Sequence, residues 1–241
     1  SPKTKLIFIS HITSTTGLRL PVEEVVSRAK ELGIMTFVDG AHGPGQVKVD
    51  LQGLGADIYT GACHKWMMTP KGSSFLFVNK AIQQLMEPLV VSWGYNALFP
   101  SQSQFLDYHQ MQGTKDFSAF LTIPDAIAFM NVNEWSAVAS HYRKMVQEYA
   151  LPFCNLLGGV PLAPLHDDFI AQLLSCEIKT SVPEQLQKHL FNEYQIEIPV
   201  MRHGNRVFLR YSLNACNSQK DMERLFAAVK DIQKKTTLLE N

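Results

Sequence analysis

Net charge is the first thing this chain lacks: its 22 Lys and Arg are matched by 22 Asp and Glu. With no basic excess or basic run, binding to nucleic acid or to an acidic membrane surface has little electrostatic support. Cysteine is scarce too. Cys63, Cys154, Cys176 and Cys216 are widely spaced, with no CxxC pair, which argues against a disulfide framework or a zinc ribbon and fits a reducing compartment such as the cytoplasm. No apolar run approaches the ~20 residues of a membrane helix. The start shows no signal or transit pattern, and no repeat or low-complexity tract is present. What remains is an ordinary globular composition, 46% hydrophobic and 18% charged over 241 residues, enough for one large core or two modest ones.

The chain opens on KLIFIS (Lys5–Ser10), an apolar run of β-formers that predicts a buried strand. Pro21 then opens a helix at its first position. Val22, Val25, Val26, Ala29 and Leu32 form its apolar stripe, and Gly33 takes the left-handed cap. Ile34–Asp39 is the next strand, so strand, helix and strand make a βαβ unit, whose chemistry belongs at the carboxyl ends of its strands. Val47–Leu54 reads as an amphipathic piece, Asp57–Ala62 as a third strand and Phe75–Val78 as a fourth. From Ala81 to Gln112 the pattern fades into a long loop region, followed by apolar-periodic helices to about Ala150. Strands at Phe169–Ile178, Ile196–Met201 and Val207–Ser212 then alternate with helices at Pro183–Tyr194 and Gln219–Leu239, the last opened by Ser218 and Asp221 in capping-box spacing. The expected fold is α/β, a three-layer domain with a mostly parallel sheet over 1–139 and a smaller α+β domain over 140–241.

One stretch, Phe37–Gly72, concentrates chemistry. Asp39 ends a strand, His42 follows three positions later, and His64 and Lys65 sit just past the end of the next strand. A lysine that forms a Schiff base needs a lowered amine pKa, which a desolvated setting supplies. Cys63, Trp66, Met67 and Met68 around Lys65 predict such a setting. A carboxylate facing the ring nitrogen of pyridoxal phosphate (PLP) keeps that ring an electron acceptor, and Asp39 is placed for it. Taken alone, a lysine after a strand is more often a surface residue, and an aspartate there more often a turn residue.

Together these residues resemble the class V aminotransferase group of fold-type I PLP enzymes. The matching features are Ser10–Gly17 (SHITSTTG), Asp39–His42 (DGAH), His64–Lys65 with Pro70–Gly72 (PKG), Gly113–Asp116 (GTKD) and Leu209–Ser212 (LRYS), in order over most of the chain. The resemblance implies an amino-acid substrate and the PLP cofactor. Lys65 would form the Schiff base and shuttle protons, Asp39 would pair with the ring nitrogen, and His42 would approach the phenolic oxygen. His64 and Thr114 would bind phosphate, Thr114 across a homodimer interface. Ser14 stands near the cofactor oxygen, and Arg210 would clamp the substrate carboxylate with its planar fork. Trp66 and Ser92–Tyr95 bring the sequence closest to the isopenicillin N epimerase-like branch, which includes carbon–sulfur lyases.

There are departures from the family pattern. Ala62 stands where relatives often carry a hydroxyl or amide that helps bind phosphate, leaving Thr60 as a substitute, and Ser14 stands where many carry Asn. Pro199–Arg206 lacks the nucleophilic cysteine of the desulfurases, so persulfide chemistry is not expected, and Cys216 reads as a structural residue. The resemblance also implies a preceding segment that supplies a phosphate nest and a ring-stacking residue, so that this chain alone would bind PLP poorly. Two other readings are open. One is a catalytically silent or assembly protein on the same fold. The other is a metal site from His11, His42, Cys63 and His64, although no ligand spacing supports it.

Overall fold

A computed structural model of the chain describes residues 2–110 and 112–240, and they gather into two compact units. The first takes the residues up to Ile9, then Val22–Pro44 and Val49–Phe129; the second takes Ser10–Pro21, Gly45–Lys48 and the chain from Met130 onward.

The first unit is built on a four-stranded sheet whose order is the chain order: β1 (Leu6–Ser10), β2 (Met35–Asp39), β3 (Ile58–Ala62) and β4 (Ser74–Val78). The sheet is mostly parallel. β2 runs parallel to β3, with Asp39 opposite Thr60, while β4 returns antiparallel. Helix α1 (Val22–Glu31) connects β1 to β2 and buries Val22, Val26 and Ala29 at helical spacing. Val22 and Val26, with Val38, Ala56 and Tyr59, form the unit's core, each fully buried Val contributing about 1.5–3 kcal/mol. The helix ends at Glu31, so Leu32 lies past it and is exposed rather than part of the stripe. Gly33 has the left-handed φ of +63° that the cap requires.

β1 is not the buried strand its apolar run predicts. It lies at the edge of the sheet, and the alternate residues Leu6 and Phe8 are exposed, Phe8 meeting Phe37 edge to face at 5.1 Å. A continuous apolar run marks burial on both faces only where both faces are covered. Of Val47–Leu54 only the single turn α2 (Leu51–Leu54) is helical, because Asp50 caps it through the Gly53 N–H and Gly55 ends it at φ +68°. The stretch read as a long loop contains a 3-10 helix (Lys80–Leu85) and α3 (Gln104–Gln110), and Met111 lies outside the described residues. Short helices α4 (Ser118–Leu121) and α5 (Ile123–Val132) follow.

The second unit packs helices on a three-stranded antiparallel sheet of order β5 (Leu173–Ile178), β7 (Arg206–Ser212), β6 (Val200–His203). The long helix α6 (Trp135–Leu156), α7 (Pro183–Tyr194) and α8 (Gln219–Lys235) supply its apolar faces. Phe153, Cys154, Leu186, Leu190, Leu209 and Ile232 are fully buried there. The capping box at α8 is present in both directions: Ser218 caps the Asp221 N–H, and the Asp221 carboxylate accepts from the Ser218 N–H at 2.7 Å. The helix stops at Lys235 rather than Leu239, since Thr236 is extended and turns its side chain back onto the Ile232 carbonyl.

Candidate active site

Parallel pairing of β2 and β3 places two strand ends side by side, and the chain leaves each through a braced turn. After Asp39, the Gly40 N–H donates to the Thr60 carbonyl at 2.9 Å, and the Ala41 N–H donates to the Asp39 carboxylate at 3.0 Å. Only glycine fits at position 40, because a Cβ would enter the Tyr59 ring. That ring is buried. Burial, and then the Asp39 and Glu23 charges, push its hydroxyl far above the usual tyrosine range, so it stays protonated.

After β3 the chain makes a loop pinned at its neck. The Cys63 N–H donates to Ser73 O at 3.1 Å, Thr69 N–H to Cys63 O at 3.3 Å, and the buried hydroxyls of Thr69 and Ser73 meet within the neck. Met68 closes the turn onto the Lys65 carbonyl with φ +62°. A left-handed non-glycine residue costs on the order of 1 kcal/mol, and such residues gather at functional sites.

This loop presents His64, Lys65 and Trp66. The His64 Nδ1 lies 3.0 Å from the Ser73 carbonyl. A carbonyl only accepts, so Nδ1 carries the hydrogen. Lys65 Nζ is 3.1 Å from His42 Nε2, and the indole N–H of Trp66 donates to His42 Nδ1 at 3.1 Å. His42 and Trp66 are both buried, at 8% exposure each. Lys65 itself is exposed, which corrects the desolvated setting predicted for it. Its apolar neighbours Cys63 and Trp66 turn inward while the lysine faces out, an alternation that sequence proximity does not reveal. Burial pushes the Cys63 thiol up, away from reactivity.

The structure thus brings His42 and Lys65 together beside the Asp39 strand end. Thr114 is exposed in the loop before α4. Thr60, the substitute considered for Ala62, lines a cavity of about 830 Å³ with Ser74, Phe105, Lys115 and Phe117. Among the described residues, no three His, Cys, Asp or Glu side chains gather so as to hold a metal ion, and none of the helices is long and apolar enough to cross a membrane.

The second unit holds Ser14 and Arg210 together. Arg210 donates from Nη1 to the Ser14 carbonyl at 2.5 Å and to its hydroxyl at 3.2 Å. Its opposite neighbour across the strands is Ser175, whose hydroxyl donates to the Thr15 carbonyl at 2.6 Å. Two facing strand residues therefore clamp consecutive carbonyls of the 13–18 loop. That loop is tightened from within, where the Leu18 N–H donates to the Thr13 hydroxyl at 2.9 Å. Sequence reasoning missed Ser175, since nothing local marks a serine whose partner lies 160 positions away. The Arg210 Nε is buried without a hydrogen-bond partner, and burial lowers the guanidinium's pKa from its ordinary value. Pro199–Arg206 covers β6 and the turn that leads into β7, and Cys216 is exposed in the turn before α8.

The aminotransferase class-V family model matches residues 1–225, nearly the whole chain. The chain belongs to that family. Among its curated relatives, the isopenicillin N epimerase of Amycolatopsis lactamdurans is 29% identical over 244 residues, covering 97% of this chain and 61% of the relative. A probable chloroplastic L-cysteine desulfhydrase of Arabidopsis thaliana is 34% identical over 247 residues, covering 94% and 50%. A structure of a C-DES variant with glycine covalently linked to its PLP cofactor superposes with a TM-score of 0.77 at 19% identity, over 96% of this chain and 61% of that one. This likeness shows that this member of the class-V family has the same α/β fold. The chain spans about 60% of the length of the epimerases it matches.

Proposed function

We propose that this chain carries the lysine side of a PLP-dependent enzyme that acts on an amino acid, as an epimerase or a carbon–sulfur lyase. The observation that carries the reading is the Trp66–His42–Lys65 hydrogen-bonded chain beside the Asp39 strand end. The donor set fits the cofactor: an exposed amine, a half-buried carboxylate and an imidazole fixed by a buried partner. PLP, when bound, withdraws electrons from the substrate's α-carbon.

The residues divide the work. Lys65 holds the cofactor covalently and moves a proton at the α-carbon. Asp39 keeps the ring nitrogen protonated, and His42 donates to the phenolic oxygen. His64 and Thr114 take the phosphate. With its Nδ1 hydrogen committed to Ser73, His64 donates to phosphate from Nε2 only as the imidazolium. Arg210 receives the substrate carboxylate, and its buried, unpartnered Nε supports this assignment: such a donor pays a desolvation penalty until an acceptor meets it. Ser14 sets the position of that guanidinium. In this reading residues 1–139 hold the cofactor, 140–241 form the small domain, the enzyme is a homodimer, and it works in the cytoplasm.

The exposure of Lys65 favours a second reading, a catalytically silent protein on the same fold. Borohydride reduction of the gene's full product with PLP, followed by peptide mapping, separates the two. Label concentrated on Lys65 supports the enzyme. Label spread evenly over the lysines, or absent, supports the silent protein.

A further inference from the structure

An exposed lysine does not become a neutral nucleophile by burial, so its neutral form needs another source. The hydrogen-bond order at His42 supplies one. An indole N–H only donates. Trp66 Nε1 lies 3.1 Å from His42 Nδ1, so Nδ1 accepts and the neutral ring carries its hydrogen on Nε2. That nitrogen lies 3.1 Å from Lys65 Nζ. An ammonium has three donors and no acceptor, so it cannot bond to an Nε2–H; a neutral amine offers the lone pair that can. Trp66 and His42 are both buried, where a donor left without its acceptor costs about 1–3 kcal/mol. The polarity of the chain is therefore set from the Trp66 end.

We propose that Trp66 is a positioning residue: it fixes His42 as the Nε2–H tautomer, so that His42 donates to Lys65 and favours the neutral amine. The proposal rests on the functional reading for its purpose, since attack on an aldehyde cofactor needs a neutral amine, and the same Nε2–H is the donor a phenolic oxygen would take. The titratable groups on the elements that meet here are Asp39 on β2, Tyr59 on β3, and Cys63 and His64 in the lysine's own loop. Asp39 accepts from the Ala41 N–H, burial keeps Tyr59 and Cys63 protonated, and His64 donates to Ser73. None of these contacts supplies Nε2 with its hydrogen.

The test uses the gene's full product without cofactor, labelled with 15N-histidine. Long-range 1H–15N correlation reads the His42 tautomer, and 13C-formaldehyde methylation across pH reads the midpoint at which Lys65 becomes reactive. The wild type is expected to show Nε2–H. Trp66→Phe keeps the ring and removes the donor, and should raise the Lys65 midpoint by about one pH unit, the equivalent of one hydrogen bond. His42→Gln should hold the wild-type midpoint, because its amide accepts from the indole through oxygen and donates through nitrogen; His42→Leu should raise it. An Nδ1–H signal at His42, or an unchanged midpoint in folded Trp66→Phe, overturns the proposal. If Trp66→Phe does not fold, the wild-type tautomer and the Gln and Leu pair decide. None of these readouts needs PLP. Failure of borohydride label at Lys65 therefore sinks the functional reading alone, while label at Lys65 with an unshifted midpoint in Trp66→Phe sinks this one alone.

Discussion

The clamp on the 13–18 loop can be taken apart one strand at a time. Ser175 is 2% exposed, and its hydroxyl donates to Thr15 O at 2.6 Å; Arg210, directly opposite on β7, holds Ser14 O at 2.5 Å. Ser175→Ala removes one hydrogen bond and leaves a half-buried carbonyl that water can partly reach, so it should cost about 1 kcal/mol. Arg210→Met keeps the apolar stem and removes charge-assisted bonds worth about 1.5–3 kcal/mol, offset by release of a guanidinium from its buried site. Its own cost should therefore be small. The informative quantity is the coupling. Both side chains restrain adjacent peptide units of one loop, so the double mutant should depart from the sum of the single ones by about 0.5 kcal/mol or more. Urea unfolding followed by circular dichroism, with unchanged m-values, measures all four corners of the cycle. Additivity to within about 0.3 kcal/mol among folded variants would refute the idea that the two residues act as one clamp.

Leu186→Ala, at a fully buried position on α7, should lose about 2–5 kcal/mol in the same assay, and a loss under 1 kcal/mol would show that the second unit's core is looser than described. Ser218→Ala should cost about 1 kcal/mol by breaking the α8 capping box, with Ser218→Asp restoring most of it. The Arg206 hydrogen bond holds the Glu177 carboxyl below its ordinary range. A depressed folded-state pKa gives stability that is present above the unfolded carboxylate value, about 4.3, and lost as pH falls through the folded one. Glu177→Gln should therefore flatten stability between pH 5 and 3 (about the carboxylate range); an acid limb identical to the wild type's would count against that pair. Gly17→Ala, at φ +67° and packed on Leu173, should destabilise by roughly 1 kcal/mol or more.

Features set by near neighbours could be read from the sequence. The Gly33 cap, the Ser218–Asp221 box and the strand at Ile58–Ala62 are decided within a few residues, and the structure has each of them. Sequence and structure part where distant chain, or the exact end or weak periodicity of an element, decides the outcome. KLIFIS is apolar throughout, but its burial depends on what covers the sheet edge. Leu32 fits the stripe of α1 by spacing, yet the helix stops one residue earlier. The glutamine-rich stretch around α3 carries too little periodicity to announce a helix. At the candidate site, sequence placed Asp39, His42 and Lys65 at strand ends, and parallel pairing does set those ends side by side. It could not tell that Lys65 faces out, nor that Trp66 reaches back to His42, because both depend on how the loop from Cys63 to Ser73 closes at its neck (a closure set by the Cys63–Ser73 backbone bond).

The 13–18 loop is made long before its two anchors: Ser175 is separated from Thr15 by 160 residues and Arg210 from Ser14 by 196. Loop-closure entropy grows with such separations, and contacts of this range slow folding. During synthesis the loop must wait, unclamped, until β5 and then β7 emerge and pair. A nascent chain stalled before Arg210 can have its lysine loop already closed by short-range bonds while the 13–18 loop still lacks its guanidinium anchor. Closure of the 13–18 loop is in that sense a checkpoint on the arrival of β7: Ser14 finds its guanidinium anchor only once a strand 196 residues further along has been made.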